Sequence, residues 1–483
     1  MKREFGKTLI QNFFHQRVEL SHVIDTSGAF IPGHGTPTVI LVGRNRTPSD
    51  ARKVLAVLGV RGEPSEPKVA AEGKVWQSIV NLVHRPGSGS EWVTVEDLPR
   101  KRLAEFPWSL SGGGAGDVVQ ALMRGSSRRL AALVESIGFC AVTREDDAYM
   151  VGRGFGRRNR ISDHHIRPLL GGSEVREWGL GAGVESVFPY SSLRRAAEID
   201  TAAERVLWKC RTLLKLRRAL SGAQEEQGLE WFEYSSFSPR RYWADLLITF
   251  AFVSTHNHFS LRRADEVFIR SAPVIKLPEE ASEDEHLELL GVLNSSAACF
   301  WLKQVSQGKG GSGLGRGLQD EEWEERYEFT GTKLQEFPLP AELPLHLGRI
   351  LDAQAQKLAE LQPSAVAAAI VPTRQALDDA EAEHAKVRGR MIALQEELDW
   401  QVYGLYSSSA SVRSPEPCPS HPTPKPSPKS TSASALSRSC SRGRPRPGRS
   451  RPPGSRATAR PPSPRSPLTG RTGTARSFRP AST

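Results

Sequence analysis

The sequence predicts an α/β chain that ends in an antiparallel helical spacer and a disordered basic tail, on three observations. Residues 36–42 form a nearly unbroken β-branched and apolar run, and residues 136–340 alternate short apolar runs with arginine-bearing loops. After Pro344 the apolar spacing turns helical, with Leu347, Leu351, Gln354, Leu358 and Leu361 stepping by four and three. Beyond residue 406 large apolar residues almost vanish, leaving only Val412, Leu436, Leu468 and Phe478.

Taken in order, residues 2–14 place Phe5, Leu9, Ile10, Phe13 and Phe14 on one helical face, and residues 18–25 then read as a strand. The run at 36–42 reads as a strand covered on both faces. Two buried strands need more sheet than the next 40 residues or so supply, so the chain is expected to enter an α/β domain part-way through it. Further strands are expected at 246–253, 266–270 and 274–277.

Three glycine-rich segments could in principle cradle a phosphate. Gly112, Gly113, Gly114 and Gly116 precede a helical pattern, but neither an entering strand nor a following Lys-Ser/Thr accompanies them, so a turn is the better reading. Gly152, Gly154 and Gly156 run into Arg157-Arg158-Asn159-Arg160 rather than into a helix with an acidic clamp beyond. The stretch 308–317, with six glycines in ten residues, reads as a flexible loop.

The positions that bear on function are mostly arginines with aromatic neighbours. Arg153, Arg157, Arg158, Arg160, Arg240, Arg241, Tyr242, Arg262 and Arg263 suit phosphate clamping, base reading and stacking, while a solvated charged surface fits each of them singly as well; DNA contact becomes the favoured reading of the set only with the family resemblance given below. His256-Asn257-His258 would put both imidazoles on one face of a strand, as a DNA-facing edge or a hydrogen-bonded pair; no third and fourth metal ligand is evident beside them. His164-His165 has no evident partners either. Asp146-Asp147 reads as a solvated turn before a strand.

In the helical region a second segment places Leu377, Ala380, His384, Val387, Met391, Leu394 and Leu398 at 3-4-3-4 spacing. With Pro363 and Pro372 bounding the connector, the two seams fit an antiparallel coiled coil, His384 being a polar register residue.

The formal charge of +11 over 483 residues suggests a nucleic-acid binder, yet it is unevenly spread. Residues 407–483 carry 13 Arg and 2 Lys against the single acid Glu416, which is +14 and leaves residues 1–406 at −3. Any nucleic-acid surface on the folded part must therefore be a local patch. With 16 prolines and 19 serines, the tail cannot bury enough surface to offset the entropy of ordering it. A non-specific nucleic-acid arm and a plain solvated tail both fit this composition, and the reading favoured is a GC-rich gene translated out of frame. Cys140, Cys210, Cys299, Cys418 and Cys440 are too scattered for a zinc site or a disulfide framework, and no apolar run is long enough for a membrane span. A cytoplasmic protein that does not enter a membrane is expected.

The blocks MKREFGKTLI and VIDTSGAFIPGHGTPTVILVGRNR resemble the last helix and final strands of the catalytic domain in adenine-specific DNA methyltransferases of actinobacterial phage-growth-limitation (BREX) systems. The likeness continues through GSGSEWVTVEDLPR, FPWSLSGGGAG, SIGFCAVTREDDAYM, LITFAFVSTHNHFSLRR, SAPVIKLP and LQEELDWQVYGLY, and so covers nearly all of residues 1–406. LLGVLNSS from Leu289 and YEFTGTKL from Tyr327 resemble parts of the specificity domains of restriction-modification proteins.

The resemblance implies the truncated end of a Rossmann-like methyltransferase core at 1–46, a connector at 47–135 and a mixed α/β DNA target-recognition domain at 136–340. It further implies a helical spacer at 341–406 and the tail at 407–483. The family's chemistry uses S-adenosylmethionine, held by a Phe-x-Gly-x-Gly turn, and an Asn-Pro-Pro-Tyr loop that grips a flipped adenine. Neither motif occurs in this sequence, whose Pro-Pro pairs at 452–453 and 461–462 are followed by Gly and Ser. The expectation is thus a site-specific adenine-N6 methyltransferase's C-terminal portion, which contacts double-stranded DNA and holds no cofactor, metal or catalytic residue of its own. A stand-alone DNA-specificity subunit working with a separate methyltransferase core or other phage-defence proteins is an alternative, as is an inactive truncated product.

Overall fold

The computed structural model describes residues 5–33, 37–49, 52–190, 197–219, 222–309 and 325–408, and they form a mixed α/β structure. The disorder expected of the tail concerns residues outside this set from 409 onward, as does most of the glycine-rich stretch 308–317. Ser407 and Ser408, read as the start of the tail, instead finish the helix Arg374–Ser408.

The first sheet has the order Val39–Arg44, Glu19–Asp25, Lys53–Gly59, Val93–Pro99, with a parallel pair at its centre and antiparallel pairs at both edges. Alternation along Lys53–Gly59 sends Val54, Ala56 and Leu58 to one face and Leu55 and Val57 to the other. Ile10, Leu103 and Trp108 cover the first face; Val75 and Ile79 of the helix Lys74–Leu82 cover the second. Two of the four strands come from beyond residue 46, so the sheet runs on into the segment read as a connector.

Two expectations change here. The run at 36–42 is not covered on both faces: Val39–Arg44 is an edge strand, Val39 and Leu41 pack inward, and Ile40 and Val42 are 41% and 45% exposed. β-Branched composition reports strand propensity and cannot say whether a neighbour covers the second face. The N-terminal helix also divides its apolar residues, because Leu9–Phe14 winds as a π-helix. The wider turn rotates the stripe, burying Ile10 against the sheet and leaving Leu9 and Phe13 exposed.

The larger part of the chain holds two further four-stranded sheets. One has the order Phe259–Arg262, Leu247–Phe250, Val274–Lys276, Ser136–Gly138, all antiparallel. The other has the order Val267–Phe268, Ile166–Leu170, Val184–Val187, Met150–Val151. The expected strands at 246–253, 266–270 and 274–277 fall on these elements, shortened at their ends. Behind the second sheet Tyr149, Phe188, Tyr190, Tyr234, Phe237 and Tyr242 form an aromatic cluster of mostly edge-to-face pairs, with Tyr242 tilted against Phe188 and Phe237 and Tyr190 stacked on Phe237 at 4.1 Å. Asp146 and Asp147 lie on a single helical turn, Asp146–Tyr149, with Asp147 exposed, directly before the strand Met150–Val151, in keeping with the solvated turn expected there.

The Leu-Asn-Ser-Ser block joins the helices Glu283–Leu293 and Ser296–Val305. Asn294 acts as a short piece of strand, its side-chain oxygen accepting from the Phe259 N–H and its amide donating to the Phe259 carbonyl, both at 3.0 Å. Ser295 then caps the second helix, accepting from the Ala298 N–H. The first helix opens on a capping box in which Ser282 and Glu285 satisfy each other's backbone N–H.

His286 is buried on that helix, with Nδ1 2.8 Å from the Ser282 carbonyl oxygen. Burial pushes its pKa below the ordinary 6.5. The unfolded chain therefore takes up a proton that the folded chain refuses, and stability falls as pH drops through the ordinary value. Urea unfolding between about pH 7 and about pH 5.5 should show this loss in the wild type and a smaller one in His286→Gln; equal slopes would exclude His286 as the source.

Leu345–Glu360 and Arg374–Ser408 pack on each other, with a Lys357–Glu383 ion pair at 2.6 Å between them and a Gln362–His384 contact at 3.1 Å just past the end of the first. They share a core with the strands and helices of 246–305: Leu351, Ala355, Leu398, Val402 and Tyr406 are buried beside Leu287, Leu290 and Trp301. Gly348 lets the first of them approach Glu283–Leu293 closely, since a Cβ there would lie 2.5 Å from the Leu287 carbonyl oxygen. Gly348→Ala should lower the melting temperature, because overpacking costs about 1–3 kcal/mol against a gain in helix propensity of about 1 kcal/mol. A higher melting temperature for the variant would show that the helices can separate freely.

Candidate nucleic-acid interface

The sequence-selected residues divide by what their polar groups already do. Arg153, Arg157, Arg158 and Arg160 surround the one-turn helix Phe155–Arg158 and are exposed. Arg158 donates to the Arg153 carbonyl at 3.1 Å, and none of the four forms an ion pair among the described residues. Gly154 and Arg160 take positive φ of 69° and 59° on either side of the turn. Arg240 is likewise exposed. These five are free to meet phosphates.

The others are largely spent inside the protein. Arg262 is buried and donates to the carbonyls of Tyr242, at 3.0 Å, and Ala244. Tyr242 is buried, its hydroxyl donates to the Asp265 carbonyl at 3.1 Å, and burial pushes its pKa up to about 12. Asn257 donates to the carbonyls of Leu293 and Ser295, tying its loop to the helix junction. Arg241 donates to the Phe139 carbonyl at 3.0 Å. Arg263 pairs with Glu283 and with the buried Asp352 at 2.8 Å. Tyr242, Asn257 and Arg262 are therefore corrected from DNA contacts to internal braces. Long polar side chains beside strand ends can turn inward to free carbonyls, which residue type does not reveal.

Two clefts that sequence reading missed lie side by side, with Val253 lining both. The first, of about 530 Å³, is edged by Arg144, Arg270 and Lys309. Arg270 lies over the Phe139 ring at 5.6 Å and Lys309 over Phe252 at 5.7 Å, so aromatic faces orient two of the cations. Lys309 also pairs with Glu328 at 3.0 Å. The second, of about 570 Å³, is edged by Arg176, Arg326, His256 and His258. Arg144, Arg176 and Arg270 each stand at the end of a short strand or in the turn after one, a faint signal without the topology that gathers them.

None of the described glycine turns fits S-adenosylmethionine. Gly113 and Gly114 take φ of 66° and 80° to turn the chain into Ala115–Arg124, whose first-turn acid Asp117 faces Arg102 at 3.7 Å. The Gly152 segment leads into only four helical residues. His165 is buried with Nδ1 3.0 Å from the Phe188 carbonyl, and Cys140, Cys210 and Cys299 are unbridged. Among the described residues no helix is long and apolar enough to cross a membrane.

No family model matches the chain. It is 46% identical over 417 residues to the adenine-specific methyltransferase PglX of Streptomyces coelicolor, an alignment taking in 84% of this chain and 34% of that protein. The chain thus spans about a third of the length of this curated relative. Among solved structures, the type IIL restriction-modification enzyme MmeI in complex with DNA aligns at a TM-score of 0.37 and 9% identity, over 82% of this chain and 46% of that one.

Proposed function

We propose that this chain is the DNA target-recognition portion, from the C-terminal side, of a site-specific adenine-N6 DNA methyltransferase acting in phage defence in the cytoplasm. The observation that carries the reading is the long, continuous similarity to an adenine-specific methyltransferase of about three times the aligned length. The exposed arginines at 153–160 and the paired cationic clefts supply a surface for double-stranded DNA. The bare edge strand Val39–Arg44, with Ile40 and Val42 exposed, offers a place for further α/β structure to continue the first sheet.

S-adenosylmethionine binding and methyl transfer then belong to the part of the enzyme that carries the Phe-x-Gly-x-Gly and Asn-Pro-Pro-Tyr motifs. The regions 1–46, 47–135, 136–340 and 341–406 serve as core edge, connector, recognition domain and spacer. Other phage-defence proteins, or a core encoded separately, are the partners that fit.

Gel retardation over a library of duplexes at physiological salt tests this. At least one duplex should bind about 100-fold or more tighter than the average, in the full chain and in a chain ending at Ser408. Calorimetry with S-adenosylmethionine should show no stoichiometric binding. Equal affinity for all duplexes, lost on removal of the +14 tail, would overturn the recognition role.

A further inference from the structure

The strands Val175–Arg176 and Gly179–Leu180 are joined by two residues, Glu177 and Trp178. Trp178 adopts a left-handed φ of 65°, and its side chain is buried in the core with Nε1 donating to Gln395 Oε1 at 2.9 Å. Its backbone N–H donates to the Phe259 carbonyl, also at 2.9 Å. The turn is therefore pinned from within, and Glu177 is presented outward on a rigid support.

Facing it are the two histidines of 256–258. Asn257, between them, is held inward by the carbonyls of Leu293 and Ser295, so both imidazoles point to the other side. Their ring centroids are 4.2 Å apart. His256 Nε2 lies 2.6 Å from Glu177 Oε1, and Thr255 Oγ1, 2.9 Å from His256 Nδ1, sets the ring's orientation. His258 Nδ1 lies 3.1 Å from the same carboxylate oxygen, but the contact lacks hydrogen-bond geometry. His258 is only 8% exposed, so a buried imidazole nitrogen is aimed at the cluster with no hydrogen-bond partner among the described residues.

The geometry points to a zinc site formed by Glu177, His256 and His258. The three ligand atoms lie within 4.8 Å of one another. Tetrahedral zinc with bonds of about 2.0–2.1 Å needs ligand separations of about 3.3 Å: the His258–Glu177 distance of 3.1 Å is already close, and the exposed His256 ring must move from its 2.6 Å contact with Glu177 by about 0.7 Å. Two imidazoles and one carboxylate select zinc over magnesium or calcium, which prefer all-oxygen shells. Three protein ligands leave the fourth position to water from the cleft that Arg176 and Arg326 also line. The metal would join the hairpin tip to the loop before Phe259–Arg262, and it would satisfy the buried His258 nitrogen, which has no hydrogen-bond partner among the described residues.

The full chain, stripped with a chelator, should be titrated with Zn²⁺ against a chromophoric zinc indicator, alongside His256→Ala and Glu177→Gln. One equivalent should be taken from the indicator by the wild type, and His256→Ala, at an exposed position, should weaken binding by on the order of 100-fold or more. Co²⁺ should give the visible spectrum of a four-coordinate site in the wild type and lose it in Glu177→Gln. Circular dichroism of the two variants should match the wild type. No uptake of Zn²⁺ by the wild type, or equal affinity in all three proteins, would overturn the assignment, the latter placing the metal elsewhere on the chain. The site lies in the second cleft, but the DNA-recognition reading rests on the arginines there and at 153–160, so either outcome leaves that reading to its own binding test.

Discussion

Arg217→Ala should destabilise the protein by about 4 kcal/mol or more, the largest effect expected of a single substitution here. Arg217 is 5% exposed and donates to four backbone carbonyls, those of Leu214 at 2.8 Å, Thr143 at 2.6 Å, Trp231 at 3.0 Å and Glu233 at 2.7 Å. Its guanidinium also lies over the Tyr149 ring at 5.6 Å. Truncation removes a donor from four acceptors: the Glu233 carbonyl keeps Tyr149 and Gln224 and the Thr143 carbonyl keeps Ser235, while those of Leu214 and Trp231 lose the guanidinium at about 1–3 kcal/mol each if left unmet, on top of the lost packing of a buried side chain. Arg217→Lys should recover only part of the loss, because three donors on one nitrogen cannot follow the planar fork. Urea unfolding followed by tryptophan fluorescence measures both variants; an alanine variant within about 1 kcal/mol of the wild type would show that water replaces the guanidinium.

Replacing Arg144, Arg176, Arg270 and Arg326 together by alanine should weaken DNA binding on the order of 100-fold at physiological salt. The four line the two adjoining clefts, and none forms an ion pair among the described residues. For every phosphate no longer neutralised, the plot of log affinity against log salt should flatten by about 0.9. Fluorescence anisotropy over a salt series, on chains ending at Ser408 so that the tail does not mask the change, gives affinity and slope together. The same four substitutions should leave the melting temperature within a few degrees of the wild type, since these side chains stand at the surface of the clefts. An unchanged slope would move the phosphate-binding surface away from the clefts, toward Arg153, Arg157, Arg158 and Arg160.

How far the sequence carries can be judged from individual residues. The seam from Leu377 to Leu398 was legible because helix period and burial coincide: Val387 and Leu398 are buried and Met391 and Leu394 pack against the core. The strand Val39–Arg44 was legible as a strand but not as an edge, since its composition is equally suited to both. Of the candidate DNA-binding residues, the arginines on the short helix near residue 155 stayed at the surface, while Tyr242, Asn257 and Arg262 turned inward to serve backbone carbonyls. Nothing local distinguishes these outcomes, because an arginine's partners lie wherever the chain leaves a carbonyl unpaired.

Glu177 illustrates the opposite case. It lies 79 positions before His256, with no spacing rule to link them, and is separated from it by the strand Val184–Val187, the helix Thr201–Trp208 and the aromatic cluster. The sequence by itself determined the α/β class, the helical periodicity of residues 345–408, the skewed charge that leaves residues 1–406 at −3, and the likeness to adenine-specific methyltransferases. Those properties reside in composition, periodicity and block similarity, which depend on near neighbours along the chain. Only the tertiary structure decided which arginines remain free, that two cationic clefts adjoin at Val253, and that one carboxylate meets two imidazoles. Burial, hydrogen-bond satisfaction and ligand geometry are set by groups far apart in sequence, and packing alone brings them within reach.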